Sequence, residues 1–417
     1  MRVGIIGGGA SAMILASKLK NIDVTIIERN SKLGKKLLLT GNGKCNYTNL
    51  DFDDLGSIYN NDFAINIYQK YDNSSFIKFF KELGIVPKVE IHKGIHYVYP
   101  NSNKSTSVYY CLLDKIINNK VKILYDKKVV DVKCNNKVFS VVCSDNAVYE
   151  FDKIVLATGG ASYSKTGSDG IGYEIAKKLG HKITNIIPGL CALNYNFLVK
   201  NVFLNGKCRV NATVSYNDID SKFIESGELQ FNEDTISGIP VLNLSSKVGR
   251  TLASKKNIEL SIDFSDVLID KNDVEKYNKV KSFLLDRKNN TDYRRIEDFL
   301  CGYLPDEINE VIFKLAKLEG KKISELTEPD INRLADIILN FKINISYKND
   351  FENAQITLGG VDTSQVYNET LESKLVKGLY FTGEILDIDG KCGGYNLQLA
   401  YSTASLVACA LKEEVHG

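Results

Sequence analysis

Several features are scarce in this chain of 417 residues, and each scarcity excludes a class of protein. The apolar stretch from Val3 to Ser17 is interrupted by Gly7, Gly8 and Gly9, and no helix-length apolar run follows, so we expect neither an export signal nor a membrane span. The nine cysteines are odd in number and form no CxxC pair, which indicates reduced thiols and favours a cytoplasmic location. The formal net charge is only +2, so we expect no nucleic-acid partner.

Motifs for acid–base, nucleophilic and metal chemistry are equally sparse. The only histidines are His92, His96, His181 and His416, and none lies in a pattern that predicts catalysis. The GxSxG, HExxH and P-loop motifs are absent, and no metal site is predicted. No CxxC or CxxxxC follows the first glycine turn, which argues against a disulfide reductase. A second complete glycine fingerprint is missing, so a separate NAD(P)H domain is not expected.

The residues that are present predict a folded protein of more than one domain. Hydrophobic residues make up 44% of the chain and charged residues 25%, a globular balance. Arg2–Ile6 is a β-branched run, a helical repeat follows the glycines, and Val24–Ile27 is a second strand ending at Glu28. This order predicts the opening βαβ unit of a doubly wound α/β sheet.

Changes of pattern along the chain predict a discontinuous nucleotide domain with an insertion. Helices are expected over 61–83 and Ser105–Asn118, and short alternating runs from Val121 to Phe151 predict a β-meander. The predicted domains are the first part of the nucleotide domain at 1–190, a substrate domain at 191–350 (β-rich over 191–264 and helical over 265–341), and the second part of the nucleotide domain at 351–417.

The first candidate site is the sequence Gly7-x-Gly9-x-x-Ala12 between the first strand and its helix. Gly7 permits a tight turn, Gly9 lets the backbone approach a pyrophosphate, and Ala12 is small enough for helix–strand packing. Glu28 ends the second strand, where a carboxylate accepts hydrogen bonds from an adenosine ribose. The pattern predicts dinucleotide binding, and by itself it does not distinguish NAD from FAD.

The second candidate site begins where a predicted strand ends at Gly383 and Glu384, and a helix begins after Gly393 and Gly394. The Glu384 carboxylate can bind ribityl or ribose hydroxyls. The N-terminus of the helix can stabilise negative charge on the N1–C2=O edge of a reduced flavin. The alternative is a surface strand–turn–helix without a ligand.

The third candidate site is the loop KKLLLTGNGKCN, residues 35–46. Its glycines offer a backbone that can approach a flat ring or a diphosphate closely. The nearby positive charges are Arg29, Lys32, Lys35, Lys36 and Lys44. Most of them are interpreted as a solvated face, and one or two as binding near phosphates, with Arg29 and Lys36 as the candidates. Cys45 is the single weak candidate for a catalytic residue, and a packed, inert thiol is the favoured interpretation.

Five segments resemble those of one family in the same order: the glycine turn, TGNGKCNYTN at 40–49, ATGGASYSKTGS at 157–168, GELQFNEDTISG at 227–238 and GLYFTGEILDIDGKCGGYNLQLA at 378–400. The chain resembles bacterial FAD-dependent flavoproteins of the aminoacetone-oxidase-like and bile-acid-pathway-reductase-like kind. The resemblance implies one FAD, a Rossmann-like FAD-binding domain in two pieces, and an inserted β-barrel-like and helical subdomain.

The resemblance also assigns cofactor contacts, in three groups. Residues near the adenosine, the pyrophosphate or the flavin are Ser11, Glu28, Lys36, Thr40, Gly41, Asn42, Gly43 and Val130, the last through its backbone. The segment that returns the chain to the cofactor is Thr158, Gly159 and Gly160. Residues expected to line the flavin are Gly383, Glu384, Asp389, Gly394, Tyr395, Asn396 and Leu397.

The expected function is that of an FAD-dependent oxidoreductase. A hydride would pass between a small organic substrate and flavin N5, in a cleft between the FAD domain and the insertion. The alternative is a flavin-binding redox sensor or partner-binding protein without substrate turnover. The substrate, the choice of NAD(P)H or oxygen as redox partner, the general acid or base and the oligomeric state are left open.

Overall fold

The computed structural model describes residues 1–92, 94–199, 202–218, 221–254, 257–269, 273–290, 296–347 and 351–416. The chain forms two compact units, each with its own hydrophobic core. The first unit combines Met1–Pro188 with Asp350–Gly417, and the second comprises Gly189–Asn349. In the described part of the chain, no helix combines the length and apolarity needed to cross a bilayer.

The strands, in chain order, are β1 (Arg2–Ile6), β2 (Asp23–Ile27), β3 (Thr48–Asn49), β4 (Pro87–His92), β5 (Ile95–Pro100), β6 (Lys122–Leu124), β7 (Val129–Asn135), β8 (Val138–Cys143), β9 (Val148–Phe151), β10 (Lys153–Leu156), β11 (Ile187–Gly189), β12 (Leu193–Phe197), β13 (Cys208–Asp218), β14 (Ser221–Phe231), β15 (Thr235–Ser237), β16 (Ile258–Asp263), β17 (Phe341–Ser346), β18 (Ile356–Leu358) and β19 (Leu379–Phe381). The α-helices are α1 (Ala10–Lys18), α2 (Lys35–Leu39), α3 (Leu55–Ile58), α4 (Asp62–Lys70), α5 (Asn73–Glu82), α6 (Ser105–Asn118), α7 (Ile171–Lys178), α8 (Ile239–Ser254), α9 (Lys276–Asn290), α10 (Asp306–Ala316), α11 (Glu328–Leu339) and α12 (Tyr395–His416).

The first unit is built on a five-stranded parallel sheet in the order β19-β10-β1-β2-β6. Most residues of its central strands are buried, as expected when helices cover both faces of a parallel sheet. Helices α1 and α12 pack against each other beside this sheet. The carboxyl ends of β1 and β2 lie at the same edge, where α/β sheets bind their ligands.

The second unit contains a closed barrel in the order β12-β15-β14-β13-β16-β17, together with α8 to α11. Along β13 every second side chain is buried, for example Val210, Ala212 and Val214, which is the alternation expected of a barrel wall. The predicted α/β class, with a Rossmann-like sheet, a barrel-like part and helices, is confirmed.

Three local predictions differ from the structure. The run Lys122–Leu124 was predicted to start the meander, but it pairs in parallel with β2, and only β7, β8 and β9 form an antiparallel sheet. The predicted helix over 61–83 is two helices, because the side chain of Asp72 caps a new helix at Ser75 N. The predicted β-rich segment contains α8, whose buried Val241, Leu244 and Val248 repeat with helical spacing.

Candidate cofactor site

A cleft lies at the carboxyl ends of β1 and β2 in the first unit. It is lined by the glycine turn, the end of β2, the start of α2, the segment before β7 and the loop before α7, namely residues 6–9, 27–30, 32, 34–36, 127–129, 157–158, 166–168 and 171. The cleft therefore brings the glycine turn and Glu28 together with Lys36 and Thr158, which were also predicted at the cofactor, and with Lys127 and Lys128, which were not.

The glycine turn has one position that only glycine fits and one that opens onto space. Gly7 has φ +97°, and a Cβ there would lie 2.6 Å from the carbonyl oxygen of Ala157. A Cβ on Gly9 would meet no atom within 4 Å. The first N–H groups of a helix have no intrahelical partner. In α1 the N-cap residue is Gly9, which has no side chain to accept their hydrogen bonds. Open space beside free N–H groups is what a pyrophosphate requires.

The buried carboxylate of Glu28 fixes this turn to the end of β2. Its Oε2 accepts a hydrogen bond from Gly8 N at 2.6 Å. Its Oε1 accepts hydrogen bonds from Asn30 N at 2.8 Å and from Asn30 Nδ2 at 2.6 Å. Since each carboxylate oxygen has two lone pairs, Glu28 can hold the turn and still accept a hydrogen bond from a ribose hydroxyl.

The predicted basic residues Arg29 and Lys36 each form an ion pair near the cleft. Arg29 pairs with Asp169, and its Nη1 donates to the carbonyl oxygen of Gly167 at 3.2 Å, which fixes the loop before α7 as a wall of the cleft. Lys36 Nζ lies 3.0 Å from Glu384 Oε2, so two predicted residues far apart in sequence meet. The other oxygen of Glu384 accepts a hydrogen bond from Thr357 N at 2.7 Å.

The segment Thr158–Gly160 and the end of β19 also come together. Thr158 lines the cleft, and a Cβ on Gly159 would lie 3.9 Å from Glu384 Oε2. Ser11 Oγ donates to the carbonyl oxygen of Thr382 at 3.5 Å, and a Cβ on Gly383 would lie 2.7 Å from the same hydroxyl. Gly160 instead packs tightly against Thr357, where a Cβ would lie 2.3 Å from its hydroxyl.

Val130 does not line the cleft, but its neighbour Val129 does. The pairing of β7 with β8 passes from Val129 directly to Asp131, so Val130 is the extra residue of a β-bulge. The backbone of an extra residue does not take part in the ladder, and it is therefore suited to the predicted backbone contact with adenine.

The loop Thr40–Gly43 is a tight turn in which Gly41 and Asn42 have φ +56° and +53°. A Cβ on Gly43 would meet no atom within 4 Å. Cys45, just beyond, is fully buried, and its N–H donates to the carbonyl oxygen of Thr40 at 2.9 Å. Burial raises the pKa of the Cys45 thiol to about 12, so it is protonated at neutral pH. These properties favour the packing role and give a catalytic thiolate no support.

The turn before α12 packs against β3. Gly394 has φ +91°, and a Cβ there would lie 2.8 Å from the carbonyl oxygen of Thr48. Tyr395 Oη donates to the carbonyl oxygen of Asp51 at 3.0 Å. The side chain of Asn396 is bonded within the chain, because its Oδ1 accepts from Gly390 N at 2.9 Å.

None of the seven residues predicted to line the flavin lies in the cleft lining. Gly383 and Glu384 follow β19, and the other five, Asp389, Gly394, Tyr395, Asn396 and the half-buried Leu397, lie at or beside the turn before α12. The carbonyl oxygen of the buried Asp389 accepts a hydrogen bond from Asn60 N at 3.1 Å, and its N–H donates to Asn60 Oδ1 at 3.0 Å.

The sequence analysis missed several residues of the cleft, chiefly Asn30, Lys127 and Lys128. The two lysines at 127–128 precede the β-bulge, and a basic pair next to a predicted backbone contact is a signal that could have found them. Among the described residues, no group of three or more His, Cys, Asp or Glu side chains is placed to hold a metal.

The residues of this cleft fit FAD. Open space at Gly9, the free N–H groups of α1, the Glu28 carboxylate and the lysine-rich lining match the pyrophosphate and ribose of a dinucleotide. In the turn at Thr40–Gly43, the open Cβ position of Gly43 offers a second place where a ligand can approach the backbone.

Comparison with known proteins identifies relatives over the full length of the chain. The family described as HI0933-like protein Rossmann domain matches residues 1–410. A 3-dehydro-bile acid delta(4,6)-reductase of Clostridium scindens is 33% identical, covering 99% of both chains. A ribosomal RNA dihydrouridine synthase of Haemophilus influenzae is 28% identical, covering 98% of this chain and 97% of that protein. The corresponding protein of Escherichia coli is 26% identical, covering 97% and 96%.

Among solved structures, a 3-ketosteroid-delta4-(5alpha)-dehydrogenase from Rhodococcus jostii RHA1 aligns at 13% identity with a TM-score of 0.47, covering 98% of this chain and 96% of that chain. The predicted family is confirmed by the full-length match and by the relative at 33% identity. The chain belongs to the HI0933-like Rossmann family, and it is an FAD-dependent oxidoreductase.

Proposed function

We propose that the protein reduces carbon–carbon double bonds that are conjugated to a carbonyl group. The observation that carries this proposal is the chemistry shared by its relatives. The 33% relative is named for reducing the 4,6 double bonds of a 3-dehydro-bile acid, and the 28% and 26% relatives for making dihydrouridine in ribosomal RNA. Each reaction adds two hydrogens to a double bond activated by a carbonyl group.

Different residues of the first unit would bind different parts of FAD. The N–H groups at the start of α1 and the lysines of the lining would hold the pyrophosphate, Glu28 a ribose hydroxyl, and Val130 the adenine. The Lys36–Glu384 pair joins the two pieces of the FAD domain beside the cofactor. When bound, FAD supplies hydride chemistry at its N5 position.

The reductant in this proposal is NADH or NADPH. The sequence has a single complete glycine fingerprint, so a separate nicotinamide domain is not expected. The nicotinamide and the substrate would therefore meet the flavin in turn. Oxygen would compete with the substrate for the reduced flavin.

The favoured substrate is a small enone or dienone, because the relative with the higher identity acts on a steroid acid. The second candidate is a uridine of ribosomal RNA, which two relatives at 28% and 26% identity support. A net charge of only +2 makes this second candidate weaker, since RNA binding depends on neutralising phosphates.

A two-step anaerobic experiment on the purified holoprotein tests the proposal. NADH or NADPH should first bleach the flavin absorbance. A steroid 4,6-dien-3-one should then restore it, while the saturated ketone, used as the matched control, should not. Restoration by a ribosomal RNA transcript and not by the dienone would favour the second candidate. Restoration by oxygen alone would contradict both candidates and favour an oxidase or a redox sensor.

A further inference from the structure

The side chain of Tyr99 lies on the face of β5 that meets two glycine-containing loops of the first unit. Tyr99 belongs to β5, and a Cβ on Gly41 would lie 3.5 Å from its ring carbon Cε1. Tyr97, two residues away on the same face of β5, has its Cε1 atom 3.3 Å from the Cβ position of Gly393 in the turn before α12. A charge on Cys392 of that turn raises the pKa of the Tyr99 phenol. The ring therefore lies beside the loop at Thr40–Gly43, on the same face of β5 as the residue that contacts the loop before α12.

The hydroxyl of Tyr99 is not used by the fold. In the part of the chain that the structure describes, no group accepts a hydrogen bond from it or donates one to it. Two buried tyrosines of this unit do have such a bond. Tyr395 Oη donates to the Asp51 carbonyl at 3.0 Å, and Tyr68 Oη to Asn73 Oδ1 at 3.3 Å. Because Tyr99 is only half-buried, its hydroxyl is accessible to a ligand.

The surroundings of Tyr99 keep its phenol protonated. Burial raises its pKa above the ordinary value, and the neighbouring Glu90 carboxylate and Cys392 raise it further. Lys44 Nζ lies 5.9 Å from the centroid of the Tyr99 ring, and Lys88 of β4 pairs with Tyr99 across the two strands. Both lysines pair with Glu90, Lys88 Nζ at 2.7 Å and Lys44 Nζ at 3.9 Å, and His92 Nε2 lies 3.6 Å from the same carboxylate. The Tyr99 phenol is therefore protonated over the physiological pH range and can donate its proton.

Reduction of a conjugated double bond needs such a donor. The β-carbon of the substrate receives a hydride, which originates from NAD(P)H, and the α-carbon receives a proton. Two C–H bonds form and one C=C π bond breaks. We infer that Tyr99 is the general acid that protonates the α-carbon, and that solvent then returns the proton to its phenolate. This inference rests on the proposed function and adds the missing acid to it.

The other acids near these loops are less suitable. His96 lies on the opposite face of β5 from Tyr99. Its ring Nδ1 is 3.0 Å from Asp51 Oδ1, and its backbone N–H donates to Asp51 Oδ2. Cys45 is fully buried. Tyr47 and Tyr59 have unpaired hydroxyls that are sealed from solvent, so a substrate does not reach them.

Tyr99→Phe tests the inference, with Tyr110→Phe as the matched control because Tyr110 is 57% exposed on α6. Tyr99→Phe should retain FAD, and NADPH should bleach it within about twofold of the wild-type rate. Reoxidation by the 4,6-dien-3-one should slow by roughly 100- to 10,000-fold, the usual contribution of a general acid. Reoxidation by oxygen, which needs no protonation of carbon, should be unchanged. Tyr110→Phe should behave as the wild type in every step.

Reoxidation of Tyr99→Phe by the dienone at the wild-type rate would overturn the inference and leave the proposed function intact. If the wild type itself is not reoxidised by any conjugated double bond, the proposed function falls and the inference with it. If Tyr99→Phe loses FAD, the pH dependence of dienone reduction by the wild type decides. A phenol with a raised pKa predicts a rate that is flat from pH 6 to beyond pH 10, whereas a fall between pH 6 and 7 would assign the step to a histidine and overturn the inference.

Discussion

The carboxylate of Glu28 links two backbone segments, the glycine turn and the end of β2, and it does so from a buried position. Removing it leaves the N–H of Gly8 without its partner and removes the acceptor proposed for the ribose. Glu28 therefore acts on the shape of the turn as well as on the cofactor.

Glu28→Ala should weaken FAD binding by roughly 1–3 kcal/mol, the range for a hydrogen bond to a charged group. Titration of the apoprotein with FAD measures this change, and Glu150→Ala, an exposed residue of β9, is the matched control. The melting temperature of the apoprotein should also fall for Glu28→Ala alone. An unchanged dissociation constant would mean that the carboxylate only shapes the turn.

Cys45→Ser should retain FAD and turnover, because the thiol is fully buried and protonated at neutral pH. Iodoacetamide at pH 8 should label the exposed Cys301 and Cys409 of the native protein and spare Cys45. Mass spectrometry of the labelled peptides and the ratio of FAD to protein are the measurements. Loss of turnover at full FAD occupancy would instead make Cys45 catalytic.

At the scale of elements, two glycines of the β1–α1 turn have different roles, one in cofactor binding and the other in folding. Gly9 has φ −75° and open space at its Cβ, whereas Gly7 has φ +97° and a carbonyl oxygen 2.6 Å from its Cβ position. An added methyl group at Gly9 enters the proposed pyrophosphate space, and one at Gly7 enters the protein.

Gly9→Ala should fold with an unchanged melting temperature and lose at least about tenfold in FAD affinity, equivalent to about 1.4 kcal/mol. Gly7→Ala should lower the melting temperature of the apoprotein itself. Thermal unfolding and FAD titration of both variants give the comparison. Equal FAD affinity of Gly9→Ala and the wild type would show that the pyrophosphate does not lie at this turn.

Helix α11 of the second unit begins with a capping box that involves a buried carboxylate. Asp330 Oδ2 accepts hydrogen bonds from Thr327 N at 3.0 Å and Thr327 Oγ1 at 2.8 Å, and Lys321 Nζ lies 2.9 Å away. The hydrogen bond from Thr327 N is the main cause that lowers the pKa of Asp330 to about 2. Because this value is below the unfolded value of about 3.9, the stabilisation is complete above about pH 4 and is lost as the pH falls through about 2.

Asp330→Ala should lower the free energy of unfolding by about 0.5–2 kcal/mol at pH 7, the usual range for a lost cap. Asp336→Ala, an exposed carboxylate on the same helix, should have little effect. Urea unfolding at pH 7 and at pH 2.5 measures the difference between Asp330→Ala and the wild type, which should shrink at the lower pH. A difference independent of pH would assign the effect to packing.

Elements with a strong local pattern were predicted well from the sequence. The helix Ser105–Asn118 has the predicted bounds, because its apolar spacing is regular. Lys122–Leu124 was placed in the wrong sheet because its partner β2 is distant in sequence. The alternation of side chains along a strand does not indicate which strand it pairs with. For the same reason no pattern distinguished Tyr99 from other hairpin residues.

At the scale of the whole molecule, the two pieces of the first unit form one parallel sheet and one hydrophobic core, although an entire second unit separates them in sequence. The Lys36–Glu384 ion pair illustrates what sequence can and cannot predict. Both residues were identified from their motifs, yet only the folded chain brings them within 3.0 Å of each other. The cleft lysines at 127–128 belong to no motif, so they emerged only from the structure.

The most direct test of the central claim is the identity of the product. The holoprotein is incubated with NADPH and a steroid 4,6-dien-3-one in deuterated water without oxygen, and the steroid is analysed by mass spectrometry and NMR. We predict a steroid with one double bond fewer, carrying one hydrogen from NADPH and one deuterium from solvent at the carbon that accepts the proton. Recovery of unchanged dienone, with the flavin fully reduced, would contradict the assignment of the protein as a reductase of conjugated double bonds.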